Sequence, residues 1–532
     1  MSAVALLSAT AIVGSALASP SAAATTKPFT DRVSVTTGGF HGGHGGSTLG
    51  DRPIQRDSLS KDGRYALIES AAPLTGKTHH TLNVQVFLRD RKLGTTTLVS
   101  VGHRGQLANQ GSFDPVMSDD ARYVAFQSYA TNLVPDDTNG KSDIFVRDLK
   151  ARTTTRVSTS TNGAQLTIPG PSTYGAGSPA ISPEGRYVGF VSGASGLVSG
   201  DSTATEAYLK DTVTGELEMV SRGQHGLAES VLPASSLGIS RHARRVAFHS
   251  GSSTVVPGDT NSDPDIFIRD RTAGTTAMVP VGEDGSGQPA LSADGTRIAF
   301  VARNTPALVA GAPAAIDVVY VHNLVNGTTA AVSRSSTGAW GNAHSTAPAI
   351  SADGRYISFT SSASNLVAGD TNGQADVFRH DAVTGQTTRV SVRRNGGQNA
   401  LSSRRSAISG DGQHVLFETH GGNLTPVGTG GWGQVFVRSL NGAYPALLAK
   451  VGKLPKKMTW KRKHPKAKVA TSGIAAKQSL QVIWKSGKKK ITTTVTVKSK
   501  KLVLKAPRAR GRYNVTVRYA GHQLRKGRVT IR

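Results

Sequence analysis

Three short stretches of this chain present oxygen-bearing side chains at one spacing: DTNGKSD at 137–143, DTNSDPD at 259–265 and DTNGQAD at 370–376. In them Asp137, Asn139 and Asp143, then Asp259, Asn261 and Asp265, then Asp370, Asn372 and Asp376 fall at matching positions. Oxygen ligands at alternate positions around a bend are what Ca²⁺ selects, and the pattern matches half an EF-type loop without its terminal Glu. The same residues suit an Asx-turn, in which Asp and Asn side chains bond their own backbone. Both readings stand, so Ca²⁺ enters as a candidate cofactor. A degraded copy, DSTATE, occupies 201–206.

A second chemistry is electrostatic. From Lys450 to Arg532 the chain holds 18 Lys and 8 Arg and no acidic residue, while the rest holds 36 basic and 34 acidic side chains. The net charge of +28 is therefore almost wholly a property of the C-terminal 83 residues. Charge segregated in this way points to a module that binds polyanions. The densest stretch contains Lys453, Lys456, Lys457, Lys461, Arg462, Lys463, Lys466 and Lys468, and a second knot is Lys488, Lys489 and Lys490. These are the candidate polyanion-binding residues. A solvated linker entering the last domain is the other reading of the first stretch.

Familiar catalytic signatures are missing. There is no G-x-S-x-G elbow, H-E-x-x-H, Walker A loop or dinucleotide fingerprint. The chain has no cysteine, which removes disulfides, thiolate catalysis and cysteine-ligated zinc. The tract TGGFHGGHGGS (37–47) holds two histidines, a weak metal signal that equally describes a flexible Gly-rich connection.

The elements that would position these groups follow from a phrase that returns seven times. It reads LSKDGRYALI (59–68), MSDDARYVAF (117–126), ISPEGRYVGF (181–190), ISRHARRVAF (239–248), LSADGTRIAF (291–300), ISADGRYISF (350–359) and ISGDGQHVLF (408–417), at steps of 52 to 64 residues. Such a period means one supersecondary unit repeated. In the sixth copy, APAIS (347–351) reads as a strand and Asp353-Gly354 as a turn. Residues 355–359, DVFRH (376–380) and TTRVSV (387–392) supply three more strands. Four antiparallel strands per repeat is the β-propeller solution. In the fourth copy His242-Ala243 replaces the Asp-Gly turn, which predicts an altered hairpin there. DRVSVT (31–36) resembles the fourth strand TRVSV (388–392) and is a candidate closing strand, since pairing it removes a sheet edge. A leftover half-repeat on the side of the ring is the alternative.

On these residues the repeat resembles the PD40, or WD40-like, propeller repeat of TolB-type proteins over roughly residues 55–450. The resemblance implies a seven-bladed ring. It does not carry over the role of TolB in the Tol system, because no N-terminal domain of the TolB kind precedes the repeats. The C-terminal residues alternate apolar and polar side chains over five runs, which predicts a β-sandwich of about six or seven strands. Gly511, Tyr513, Val515, Thr516, Val517, Tyr519, Val529 and Ile531 resemble the end of a bacterial Ig-like repeat.

The expected organisation is all-β: a secretory signal at 1–24, a closing strand and Gly-rich linker at 25–54, a seven-bladed propeller at 55–449 and a small basic Ig-like β-sandwich at 450–532. The signal rests on the small-apolar run 3–18 and on Ala22–Ala24, although no Lys or Arg precedes Lys27. After cleavage no segment is apolar enough to span a bilayer. The expected protein is secreted or envelope-associated, its propeller recognising a protein or glycan and its basic domain holding an anionic cell-wall polymer or envelope protein. It is read as a binding protein rather than an enzyme, with nucleic acid bound only as a non-specific polyanion. The alternative is a propeller hydrolase or lyase acting on extracellular polysaccharide through axial carboxylates.

Overall fold

The computed structural model describes residues 28–35, 47–48, 58–75, 83–167, 175–201, 204–223, 237–260, 263–280, 286–303, 308–393, 395–420, 424, 433–441 and the strands between 450 and 531. The signal segment and the His-Gly tract, save Ser47, lie outside these. Among the described residues, no helix is long and apolar enough to cross a membrane.

The sixth repeat shows how sequence becomes sheet. Its strands Ser345–Ile350, Tyr356–Ser361, Asp376–Asp381 and Gln386–Arg389 pair antiparallel in that order. The turn between the first two is built by the recurring phrase itself. Ser351 Oγ donates to Asp353 at 2.6 Å, Asp353 accepts the Arg355 N–H at 3.0 Å, and Ser351 Oγ accepts the Tyr356 N–H at 2.9 Å. Arg355 then forks onto Asp381 at 2.9 and 2.8 Å and covers the Tyr356 ring. The Asp381 carboxyl is held well below its usual range, chiefly by that guanidinium. Arg64–Asp90, Arg122–Asp148, Arg186–Asp211 and Arg245–Asp270 repeat the pair. The most conspicuous charged motif of the sequence is thus part of the scaffold.

Seven such four-stranded sheets occur among the described residues. Their second and third strands are buried on both faces, as sheets stacked against one another require. Aromatic pairs such as Phe248–Phe267 and Phe417–Phe436, with centroids 5.6 and 6.0 Å apart, fill the space between sheets. The turns also join successive repeats. Lys61 N–H bonds to Asp119 O, Asp119 N–H to Pro183 O, Asp294 N–H to Ala352 O and Ala352 N–H to Gly410 O. Asp411 N–H in the seventh repeat bonds back to Lys61 O in the first, at 3.0 Å. Repeated four-stranded sheets with almost no helix make this an all-β structure of β-propeller type.

Two turns depart from the phrase. In repeat four, Arg241–Ala243 forms a single 3₁₀ turn with His242 at φ 56° and Ala243 at φ 47°. The His242 N–H bonds Glu184 Oε1 at 3.0 Å, so a side chain of repeat three makes the inter-repeat link. In repeat two Ala121 adopts φ 55° where five of the repeats have glycine. The glycine of repeat seven is less replaceable: Gly412 has φ +68°, and a Cβ there would meet the Tyr356 ring at 2.1 Å. Gly412→Ala is therefore expected to destabilise the protein by about 1–3 kcal/mol through left-handed strain and overpacking, seen as a lower urea midpoint. An unchanged midpoint would mean that Tyr356 moves aside freely.

A strand from the N-terminal end completes the seventh sheet. Phe29–Arg32 pairs antiparallel with Gln434–Ser439, Arg32 standing opposite Phe436. It lies two residues earlier than 31–36. Beyond it, Val33 N–H bonds Val435 O at 2.9 Å. Thr30 Oγ1 donates to Val392 O in repeat six at 2.6 Å, and Asp31 takes Arg91 of repeat one at 3.0 Å.

Among the described residues, the C-terminal ones form eight strands in one continuous hydrogen-bonded order, against the six or seven expected. Two extra edge strands, Lys450–Val451 and Lys457–Met458, raise the number. The ten-residue strand Lys489–Lys498 pairs with Ser479–Ser486 along most of its length and with Lys501–Lys505 at its end, so it connects both parts of the order. Val482, Trp484, Val515 and Val529 are fully buried there, with Tyr513 edge-on to Trp484.

Candidate functional site

Antiparallel pairing fixes which ends of the strands share an edge. The start of each first strand, the end of the second and the start of the third meet at the edge opposite the Ser-x-Asp-Gly turns, as Ser345–Ser361–Asp376 shows in repeat six. All three DTN loops join a second strand to a third and so lie at this edge.

In repeat two the loop gathers Asp137, Asn139 and Asp143 around Arg156 of the fourth strand. Arg156 Nη1 is 3.4 Å from Asp137 and 3.9 Å from Asp143. Ser158 Oγ donates to Asp143 at 2.5 Å, Asn139 Nδ2 at 3.3 Å, and Gln165 Nε2 donates to Asp137 at 2.9 Å. Asn139 Oδ1 accepts the Lys141 N–H at 2.9 Å, which is the Asx-turn. Repeat six reproduces the arrangement. Arg389 Nη1 reaches Asp370 at 3.0 Å and Asp376 at 3.4 Å, Ser391 and Asn372 donate to Asp376, and Asn372 Oδ1 accepts the Gln374 N–H. In both loops a guanidinium faces the carboxylates, and the asparagine turns its Nδ2, not its oxygen, to the acid. Burial raises the carboxyls of Asp143, to about 6, and Asp376.

The third loop brings Asp259, Asp263 and Asp265 to the same edge, while Asn261 lies outside the described residues. Asp265 is 1% exposed. Burial, with the charges of Asp259 and Asp263, pushes its carboxyl up to about 6.

The same edge carries a cleft of about 570 Å³ where repeats four, five and six meet, lined by His249, Asp263, Ser286, Gln288, Arg303, Asp317 and Thr346. Arg303 Nε donates to Asp317 at 2.9 Å, and His344 Nδ1 lies 3.0 Å from the other Asp317 oxygen. His249 Nε2 is buried without a hydrogen-bond partner, and burial lowers the imidazole pKa. The floor is shaped by bulges in the first strands: Gln288 and Ala347 have φ of 55° and 52°, as do Asp114, Ser178 and Arg405 at φ 51° to 55° in three other repeats. A bulge re-aims the chain. Here it turns the Ala347 N–H onto Gln288 Oε1 at 2.6 Å, joining repeat six to repeat five. Polar and roomy, with its arginine paired to Asp317, the cleft can hold a polar group.

Sequence reasoning did not find His249, Arg303, Asp317 or His344, which stand alone in the chain without motif or spacing. It also passed over Arg156 and Arg389, although both sit in the fourth-strand phrase T-x-R-V-S. Of the candidate polyanion-binding residues, Lys457, Lys466, Lys468, Lys489 and Lys490 fall within strands; Lys453, Lys456, Lys461, Arg462, Lys463 and Lys488 lie outside the described residues.

No family model matches the sequence. No curated protein matches it either. Among solved structures, TolB from Acinetobacter baumannii is similar at 17% identity and a TM-score of 0.35, covering 57% of this chain and 59% of that one. A candidate TolB from Agrobacterium tumefaciens aligns at 15% identity and TM-score 0.34, covering 65% and 94%. Porphyromonas gingivalis dipeptidyl peptidase 4 aligns at 14% and 0.38, covering 68% and 48%. These likenesses are too distant to argue from, so the propeller-type fold rests on this chain's own sheets and registers.

Proposed function

We propose that the seven sheets are the seven blades of a closed ring, that residues 450–532 form a basic Ig-like domain, and that the protein is an exported binding protein. The ring is a recognition platform for a protein or glycan, and the C-terminal domain anchors it to an anionic polymer of the cell envelope. The observation that carries this reading is the segregation of charge: +26 over 83 residues without one carboxylate. Cations that cannot pair internally repel one another across the domain, and a polyanion relieves that repulsion while releasing its own counterions. The closed ring draws support from the Asp411–Lys61 backbone bond and the N-terminal strand paired in the seventh sheet.

The test uses the full chain and a form ending at residue 449, with polyphosphate as the probe. The full chain is expected to bind at low salt and to lose on the order of 10³-fold or more in affinity between about 50 and 200 mM salt. The shortened form is expected not to bind. Equal binding by both forms, or binding indifferent to salt, would remove the anchor.

A second reading draws on the cleft, whose lining carries Asp263 and Asp317. Polysaccharide hydrolysis needs one carboxylic acid kept protonated beside one ionised carboxylate. Both Asp317 oxygens are engaged inside the protein, one by Arg303 Nε at 2.9 Å and the other with His344 Nδ1 at 3.0 Å, so the cleft does not present a pair of free carboxyl groups to a sugar. The binding reading is preferred on that ground.

A further inference from the structure

The seven sheets superpose by register, which lets one buried position be followed from repeat to repeat. It is the first residue of the third strand, or its equivalent, with the fourth-strand residue opposite its second neighbour and the residue two further on. Repeat two has Asp143, Arg156 and Ser158; repeat six has Asp376, Arg389 and Ser391. In repeats one and seven the acid becomes an amide: Gln85 accepts from Ser100 Oγ at 2.7 Å, and Gln434 from Ser34 Oγ at 2.8 Å. In repeat five the acid and the arginine are lost together, as Val318 and Ala331. In repeat three Met219 replaces the arginine, but the acid, Glu206, takes the Tyr208 hydroxyl at 2.7 Å.

Repeat four keeps the acid and loses both partners. Asp265 stands at the position, with Met278 for the arginine and Pro280 for the serine. Asp263 replaces the Lys141 of repeat two, so the loop gains a negative charge where it has lost a positive one. Both Asp265 carboxylate oxygens are buried without a hydrogen-bond partner, as is Asp259 Oδ1. An unpaired buried carboxylate is among the costliest groups a protein can hold. Every other described repeat with an acid here supplies it with a donor.

We propose that Asp259, Asp263 and Asp265 bind a hard divalent cation of the Ca²⁺ type, which serves in repeat four in place of the guanidinium of repeats two and six. The donors are all oxygen, which selects a hard ion over a soft one. At 1% exposure Asp265 is too enclosed to receive a guanidinium or ammonium group from a partner. Among the described residues no group of three or more acidic or His side chains stands close enough to hold an ion as placed, so the proposal requires the three carboxylates to close on the ion as it binds. The raised Asp265 carboxyl, at about 6, reports the same uncompensated charge. Bound here, the ion would fix the loop whose Asp263 forms part of the cleft wall.

The experiment is Ca²⁺ binding to the full chain by equilibrium dialysis, paired with thermal melts in Ca²⁺ and in chelator. One ion is expected to depend on repeat four, and Ca²⁺ is expected to raise the melting temperature by mass action. Asp265→Asn should abolish that ion, while Asp143→Asn and Asp376→Asn should retain it. The decisive variant combines Met278→Arg with Pro280→Ser, rebuilding the arrangement that repeats two and six already fold with. It should melt higher than the parent in chelator and be insensitive to Ca²⁺. Absence of stoichiometric binding at millimolar Ca²⁺, or undiminished binding in the Met278→Arg, Pro280→Ser variant, overturns the proposal.

Discussion

A chain beginning at residue 36 is expected to melt on the order of 10 °C below one beginning at residue 25. The segment removed contributes Phe29, Val33 and Val35, each at most 7% exposed, and burying such side chains is worth about 1.5–3 kcal/mol apiece. Its loss also strips the backbone partners from one side of Gln434–Ser439 and leaves a bare sheet edge. Arg91, whose side chain is fully buried, loses the Asp31 carboxylate. Even half the summed burial is a large part of the stability of an ordinary domain. At about 2–4 °C per kcal/mol for a protein of some 200 residues, and less for a longer one, a shift of this order follows. Calorimetry of the two forms measures it. Asp31→Ala and Val33→Ala should each give a fraction of the effect, which separates strand loss from a change of solubility. Matching melting curves for the two long forms would mean that the strand contributes nothing to the sheet.

Much of this was legible in the sequence, for a physical reason. A closing strand must imitate the fourth strand it replaces, so DRVSVT and TRVSV carry the same alternation, and Arg32 occupies the register of Arg156 and Arg389. The Ser-x-Asp-Gly-Arg-Tyr phrase was equally readable, because all its polar groups are spent within a few residues or on the adjacent strand. The cleft was not. His249, Arg303, Asp317 and His344 come from three neighbouring repeats and meet only because sheets stack, a relation that leaves no spacing in the chain. The DTN loops fall between these cases. Their local bonding was visible as turn chemistry, but whether a carboxylate there faces a cation depends on one residue of the fourth strand, 13 positions on. Comparing repeats with each other, rather than each with a known motif, exposes that residue: arginine accompanies the acid in repeats two and six, and both are absent in repeat five.

That pairing sets the second large effect. Arg389→Met is expected to cost about 3–5 kcal/mol, the range for removing one partner of a buried ion pair. Asp376 is fully buried, Asp370 nearly so, and the Arg389 side chain is 10% exposed, so water cannot replace the lost charge. The loss should depend on pH with a definite sign. Burial already raises the Asp376 carboxyl, while the Ser391 hydroxyl and the Arg389 charge pull it back. A folded-state value above the unfolded one means that the native protein holds this proton more tightly. The group's contribution to stability therefore falls as pH rises from the unfolded pKa through the folded one. Without Arg389 the folded value rises further. The deficit should then be larger at about pH 8 than at about pH 5, because falling pH favours protonation of the acid and removes the buried charge. Adding Asp370→Asn and Asp376→Asn to Arg389→Met should recover most of the stability and flatten the pH dependence, since no buried charge remains to be compensated. Urea midpoints of the three proteins at the two pH values decide the matter. A deficit equal at both, or one that the asparagines fail to relieve, would assign the loss to packing of the arginine stem, and the internal guanidinium would no longer account for the charge balance of the acids in repeats two and six.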